Sequence, residues 1–281
     1  MGLLAALVLQ LSQEEAVRRL IEQLSADRIE ARAEAYRKLE EIGRPALPQL
    51  EKAARDSDGE VATRARALLV RIPIRERLTP ALLHSVEGIY DRLAQGDWVP
   101  VFLALAADLR LPADDRRYRD VRAEDLAFMA PAAIDSARTE SDRVAVCQAV
   151  GRLRLKSAVP SLVVLLKDEA AAVRTGAVGA IRDTGATDQA AALRPLLADP
   201  VPVVRSVAAD ALGRLGDREA VPALRRLLAD EAADVRWWTV HALGELRAAD
   251  AAGDLDRLSG DPDESVRRVA RETLRQLREK P

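Results

Sequence analysis

The sequence is short of the residues that most chemistry needs. It has one cysteine, Cys147, and two histidines, His84 and His241. A lone cysteine excludes an internal disulfide and any cysteine-based metal cluster. Aromatic residues make up 3% of the chain, and alanine and leucine carry most of its apolar content. That excludes an aromatic-rich, β-branched sandwich or barrel. No apolar run approaches the roughly 18 residues of a membrane-spanning helix. There is no excess of either sign of charge. The chain holds 43 Lys+Arg and 45 Asp+Glu, for a net charge of −2, and both signs are mixed throughout, so no basic field draws nucleic acid. What remains is a globular composition in a 281-residue chain, 48% hydrophobic and 31% charged, which is ample for a large core.

The longest early apolar stretch is Leu3–Leu9. No Lys or Arg precedes it, and no clean cleavage pattern follows. It is read as the start of the first helix and the location as cytoplasmic. Export is the alternative if residues 1–12 belong to a signal peptide.

The C-terminal half repeats itself every 31 residues. Asp168, Asp199, Asp230 and Asp261 stand at this step, as do Arg143, Arg174, Arg205, Arg236 and Arg267. Val173, Val204, Val235 and Val266 directly precede the last four arginines. Leu162, Leu193, Leu224 and Leu255 keep the same interval, as do Leu165, Leu196, Leu227 and Leu258. Each copy reads as two helices. Ala220, Leu224, Leu227 and Leu228 form one apolar stripe, with Pro222 in the first turn; Val204, Ala208, Ala211, Leu212 and Leu215 form the other. Gly185 and Gly216 stand where helices end. Internal periodicity of this kind marks a stacked array.

The N-terminal region follows the pattern more loosely. Ala31, Arg32, Ala35, Leu39, Ile42 and Gly43 align with Val204 to Gly216, and Val61, Ala65, Leu68 and Ile72 begin another helix. Residues 73–138 break the period. Thr79-Pro80 and Asp97 predict helix starts before Ala81–Leu93 and Trp98–Leu109, Pro112–Asp120 a loop, and Glu124–Ser136 a last helix. The expected organisation is residues 1–12, 13–72 (N-terminal repeats), 73–138 (irregular helical insert or divergent repeats) and 139–281 (regular array).

The Asp-x5-Arg spacing of Asp199/Arg205 and Asp230/Arg236, followed by the V-R-x-x-A-x-x-A-L-G-x-L-G run at Val204–Gly216, resembles HEAT repeats of the short bacterial type. The resemblance covers 139–281 well, 25–72 fairly and 73–138 not at all. It implies an all-α, right-handed α-solenoid of helical hairpins. It also implies that Asp168, Arg174, Asp199, Arg205, Asp230, Arg236, Asp261 and Arg267 form a structural ladder between neighbours. Ala26 and Ala62 replace ladder residues near the N-terminus, which interrupts it there.

Catalytic patterns are scarce. HEAT-like di-iron hydroxylases use repeated His-Glu pairs, whereas His84 precedes Ser85 and His241 precedes Ala242. HEAT-like DNA glycosylases need a basic, aromatic groove. HEAT-like bilin lyases share the fold, and no residue here singles them out. No phosphate-binding loop or nucleophile elbow occurs. Cys147 reads as a small core residue, and Asp114-Asp115 beside Arg116-Arg117 as a solvated loop. No metal and no cofactor are expected.

On a helical projection, Ser206, Asp210 and Gly213 point away from the core, which in a HEAT arrangement is the concave side. The equivalent positions include Trp237, His241, Arg268, Glu272 and Arg275. A partner-binding patch of Trp237, His241, Arg268 and Arg275 is therefore expected, with Trp238 between repeats. The expected function is a non-catalytic scaffold for a protein or peptide. A bilin-lyase-like role on a tetrapyrrole-bearing protein is the alternative, and nucleic acid is the less favoured partner.

Overall fold

The computed structural model describes residues 13–278; the expectations for residues 1–12 lie outside them. The fold is all-α, a solenoid of helical hairpins, with no strand among the described residues. The chain divides into two compact units, one through Asp97 and one from Trp98. This division falls inside the segment that breaks the period.

The first unit contains α1 (13–22), α2 (Ile29–Ile42), α3 (Leu47–Ala53), α4 (Gly59–Arg77), α5 (Pro80–Ser85) and α6 (Ile89–Ala94). Ala35 and Leu39 of α2, Leu50 of α3 and Ala65, Leu68 and Ile72 of α4 share one core with Val17 and Leu24. Asp58 caps α4, its Oδ1 accepting from the Glu60 and Val61 amides at 2.9 and 3.3 Å. The single helix expected over Ala81–Leu93 is two. Gly88 takes a left-handed φ of 67°, and the axis changes there because glycine tolerates that conformation freely. The second piece is tied down by Glu40, a residue that periodicity does not distinguish. Arg71 Nε lies 2.7 Å from Glu40 Oε1, and Nη1 lies 3.0 Å from Asp91 Oδ1. The same guanidinium covers the Tyr90 ring at 4.2 Å, and the Tyr90 hydroxyl donates to Glu40. Burial, followed by that bond and the Glu40 charge, pushes the Tyr90 phenol well above its usual range.

The second unit opens with α7 (Trp98–Asp108) and α8 (Met129–Ser136), the latter preceded by a 3-10 turn at Ala123–Leu126. The loop between them is organised by Asp108. Its buried carboxylate accepts from the Arg117 and Tyr118 amides at 2.8 and 3.1 Å. Arg116 donates back to the Leu109 and Leu111 carbonyls at the end of α7.

The regular array follows: α9 (Glu140–Leu153), α10 (Val159–Leu165), α11 (Ala171–Thr184), α12 (Ala190–Leu193, continued by a 3-10 turn over Arg194–Ala198), α13 (Pro202–Arg214), α14 (Val221–Leu227), α15 (Ala233–Glu245), α16 (Ala252–Leu258) and α17 (Glu264–Arg278). Each first helix (α10, α12, α14, α16) buries its periodic leucine, Leu162, Leu193, Leu224 or Leu255, completely. The valines at the starts of α11, α13, α15 and α17 are equally buried. One hairpin cannot enclose these residues, and stacking does. The turn after each second helix passes through a left-handed residue: Gly185 at φ 69° and Gly216 at φ 74°, but Arg154 at 53° and Arg247 at 49° in the flanking copies.

Candidate functional site

Each periodic aspartate sits in the turn before a second helix and accepts from the amide two residues on. These amides are Ala170, Val201, Ala232 and Asp263, at 2.8–3.0 Å. Each of the first four periodic arginines grips the aspartate of the following repeat. Arg174 reaches both Asp199 oxygens at 2.8 Å, Arg205 both Asp230 oxygens at 2.8 Å, and Arg236 those of Asp261 at 2.8 and 2.7 Å. Arg143 Nε stands 2.9 Å from Asp168 Oδ2. The third guanidinium nitrogen turns back to the carbonyl of the arginine's own repeat. Arg174, Arg205, Arg236 and Arg267 thus bind the Asp168, Asp199, Asp230 and Asp261 carbonyls at 2.8 Å. These forked, charge-assisted bonds are nearly buried and use every face of both groups.

Burial pushes the Asp199 and Asp230 carboxyls upward, but their arginine and amide bonds outweigh it and hold both below the usual carboxylate range. For Asp261 the Arg236 bond is itself the largest influence, and the result is also a lowered pKa. In the first unit Arg32 keeps only the carbonyl half, binding Ala26 and Asp27. Arg64, two residues beyond Ala62, donates to the Leu24 carbonyl at 2.6 Å. All these groups are spent on the scaffold.

The face expected to be open is partly a seam. Ser206, Asp210 and Gly213 are buried. A Cβ on Gly213 would stand 2.8 Å from Ala242 Cα, one on Gly151 3.1 Å from Ala180 Cα, and one on Gly244 2.9 Å from Thr273 Cγ2. Successive second helices meet along this column. A projection gives the direction opposite the first helix, but each second helix also has a neighbouring second helix, and small residues draw the two together. Asp210 is closed off by Arg182 of α11 at 2.6 Å and by Arg214 at 2.8 Å. Burial of the Ser206 and Asp210 positions is particular to α13: the equivalent Gln148, Arg268 and Glu272 are exposed and Thr175, Gly179, Trp237 and His241 half-buried, while the adjoining column of Ala145, Gly176, Val207, Trp238 and Val269 is half-buried in every copy.

The four residues expected to form a patch divide into two places. Trp237 and His241 are stacked, with ring centroids 5.7 Å apart and planes at 11°. Trp238 meets Trp237 edge-on at 4.7 Å. Trp237 and His241 line a cleft of about 530 Å³ between α15 and α17, with Glu245, Arg247, Val269 and Glu272. Arg268 and Arg275 instead line a depression on the other side of α17, with Arg267 and Arg271. Glu272 borders both. All three aromatic rings are half-buried or lean on one another, so neither tryptophan is fully open. His241 Nε2 is 3.9 Å from Glu245 Oε1, and its buried Nδ1 has no hydrogen-bond partner among the described residues.

The remaining candidates lie elsewhere. His84 is exposed, its Nδ1 2.6 Å from the Pro80 carbonyl oxygen. Cys147 is completely buried; burial first, and then the Asp168 charge, push its thiol up to about 12. Asp114 and Asp115 are exposed in a short 3-10 turn. Among the described residues, no group of three or more His, Cys, Asp or Glu is placed to hold a metal ion. No helix there is long and apolar enough to cross a membrane.

Comparison with known proteins agrees with this geometry. The family model for HEAT repeats matches residues 131–212 and 191–275. The complex of CpcE and CpcF of phycocyanin lyase from Nostoc sp. is similar at 26% identity and a TM-score of 0.50. That match covers 55% of this chain and 66% of the other, just under two thirds of its length. An engineered protein is similar at 20% identity and a TM-score of 0.44, covering 93% of this chain and 88% of the other. Human deoxyhypusine hydroxylase is similar at 21% identity and a TM-score of 0.38, covering 95% and 97%. No curated protein sequence matches the chain.

Proposed function

The chain belongs to the HEAT-repeat family, and from that premise we propose that it is a non-catalytic scaffold binding a protein or peptide on the face made by α9, α11, α13, α15 and α17. The observation that carries this is the Trp237–Trp238–His241 cluster. It occupies positions that carry no aromatic residue in the two preceding repeats, Thr175, Gly176 and Gly179, then Ser206, Val207 and Asp210. Large aromatic rings at such positions do nothing for a stacking pattern that neighbouring repeats complete without them. They are the residue types that dominate binding hot spots. The polar residues that recur are taken up in the ladder.

The similarity to a complex between two proteins supports a protein partner. The similarity to a phycocyanin lyase supports a second reading, a lyase-like or accessory role on a tetrapyrrole-bearing protein.

Affinity capture from the native lysate separates the two. Wild type is compared with Trp237→Ala/His241→Ala, after circular dichroism shows equal helicity. A protein retained by wild type and lost by the variant supports the scaffold. Identical capture places binding on another surface. Recovery of a pigment alone favours the second reading.

A further inference from the structure

The array contains an internal template for what its aromatic cleft lacks. Between α11 and α13, the Arg182 guanidinium bridges two carboxylates, Asp183 at 2.9 Å and Asp210 at 2.6 Å. Two repeats on, between α15 and α17, the acids recur as Glu245 and Glu272, each 62 positions after its counterpart. The arginine does not recur: Gly244 stands at its position. Glu272 has no ion-pair partner among the described residues, and Glu245 has only the 3.9 Å approach of His241. The same step replaces the small residues Thr175 and Gly179 with Trp237 and His241. The result is a cleft of about 530 Å³ with an aromatic wall and two carboxylates on facing helices, neither of them held in a short ion pair among the described residues.

We propose that this cleft receives an arginine side chain presented by the protein partner, its guanidinium bridging Glu245 and Glu272 against Trp237 as Arg182 bridges Asp183 and Asp210 within the chain. The proposal rests on the binding role argued above and adds the chemistry of what is bound. A guanidinium matches the site in two ways. Its planar fork satisfies two carboxylates at once, and its charge is attracted to the indole face. Arg247 also lines the cleft. The cleft is thus lined by two carboxylates and one guanidinium, with Arg268, Arg271 and Arg275 beyond Glu272 on the other side of α17.

The test uses the full chain and two small probes, N-acetyl-arginine amide and N-acetyl-citrulline amide, which share a shape but not a charge. Indole N–H resonances are followed by ¹H–¹⁵N NMR at constant ionic strength, with Trp237 assigned from Trp237→Phe. The arginine probe is expected to shift the Trp237 signal in a saturable way, and the citrulline probe is not. Glu245→Gln and Glu272→Gln, both at solvent-accessible positions that leave the fold intact, are each expected to weaken the response roughly fivefold. Equal shifts from citrulline, or unchanged affinity in both glutamine variants, overturn the proposal. If Trp237→Ala loses a captured partner while the arginine probe shifts nothing, the binding role stands and the guanidinium falls. If the probe binds and capture is unaltered, the guanidinium site stands and the partner-binding role falls.

Discussion

Arg205 and Asp230 are joined by two parallel hydrogen bonds of 2.8 Å, and Arg205 at the same time holds the carbonyl of Asp199 in its own repeat. One side chain therefore fixes two consecutive turns. Asp230→Ala leaves a guanidinium with 11% side-chain exposure and no carboxylate. It is expected to lower unfolding free energy by about 2 kcal/mol in urea titrations. Removing Glu15 from its exposed pair with Arg19 is expected to change stability by only about 0.3 kcal/mol.

The rungs also set an acid limit. Asp199, Asp230 and Asp261 have folded-state pKa values below the unfolded value of 3.8. The unfolded chain binds protons first as pH falls. The stabilisation is complete above that value and is lost as pH drops through the lower, folded one. Urea midpoints should therefore fall steeply below about pH 4, and less steeply in Asp230→Asn, which has one fewer carboxylate to protonate.

Two glycine-to-alanine changes should have opposite signs. At Gly213 the new methyl would meet the Ala242 backbone at 2.8 Å, so α13 and α15 must separate. A loss of about 2 kcal/mol is expected despite the better helix propensity. At Gly253, in α16, nothing lies within 4 Å of the new methyl. A gain of about 0.5 kcal/mol is expected there, because the unfolded chain loses freedom. Thermal melts of the two variants give the comparison.

Arg154 and Arg247 occupy left-handed positions that Gly185 and Gly216 fill in the intervening repeats. Arg154→Gly and Arg247→Gly should each raise stability by about 1 kcal/mol. If Arg247 is held there for the neighbouring cleft, Arg247→Gly should also alter partner capture, and Arg154→Gly should leave it unchanged.

The repeat, its two helices and the helix ends at Gly185 and Gly216 were legible because each is a local pattern copied several times over. Features that occur once were not. Gly88 divides α5 from α6 at a point where the apolar spacing runs on unbroken. Asp108 and Glu40 organise their surroundings through partners many residues away, with no periodic signal. Of the face expected to be open, the Gly151–Gly213–Gly244 column is a seam, because helical projection resolves only the side toward the core. Whether Gly213 faces water or the backbone of Ala242 depends on how closely two second helices approach, and that is a property of the pair. Arg268 and Arg275 are parted from Trp237 and His241 because α17 stands between the two clefts, which a projection of single helices does not show.

Ala145, Gly176, Val207, Trp238 and Val269 occupy one structural position with five different side chains, while the neighbouring Arg–Asp rungs keep the same two residue types. Cohesion is thus carried by residues that recur, and the proposed recognition by residues that vary. On the proposed role, substitutions among the varying residues exchange one partner for another without touching the Arg–Asp rungs that hold the repeats in register. Retargeting such an array then needs only small steps, none of which has to pass through the rungs.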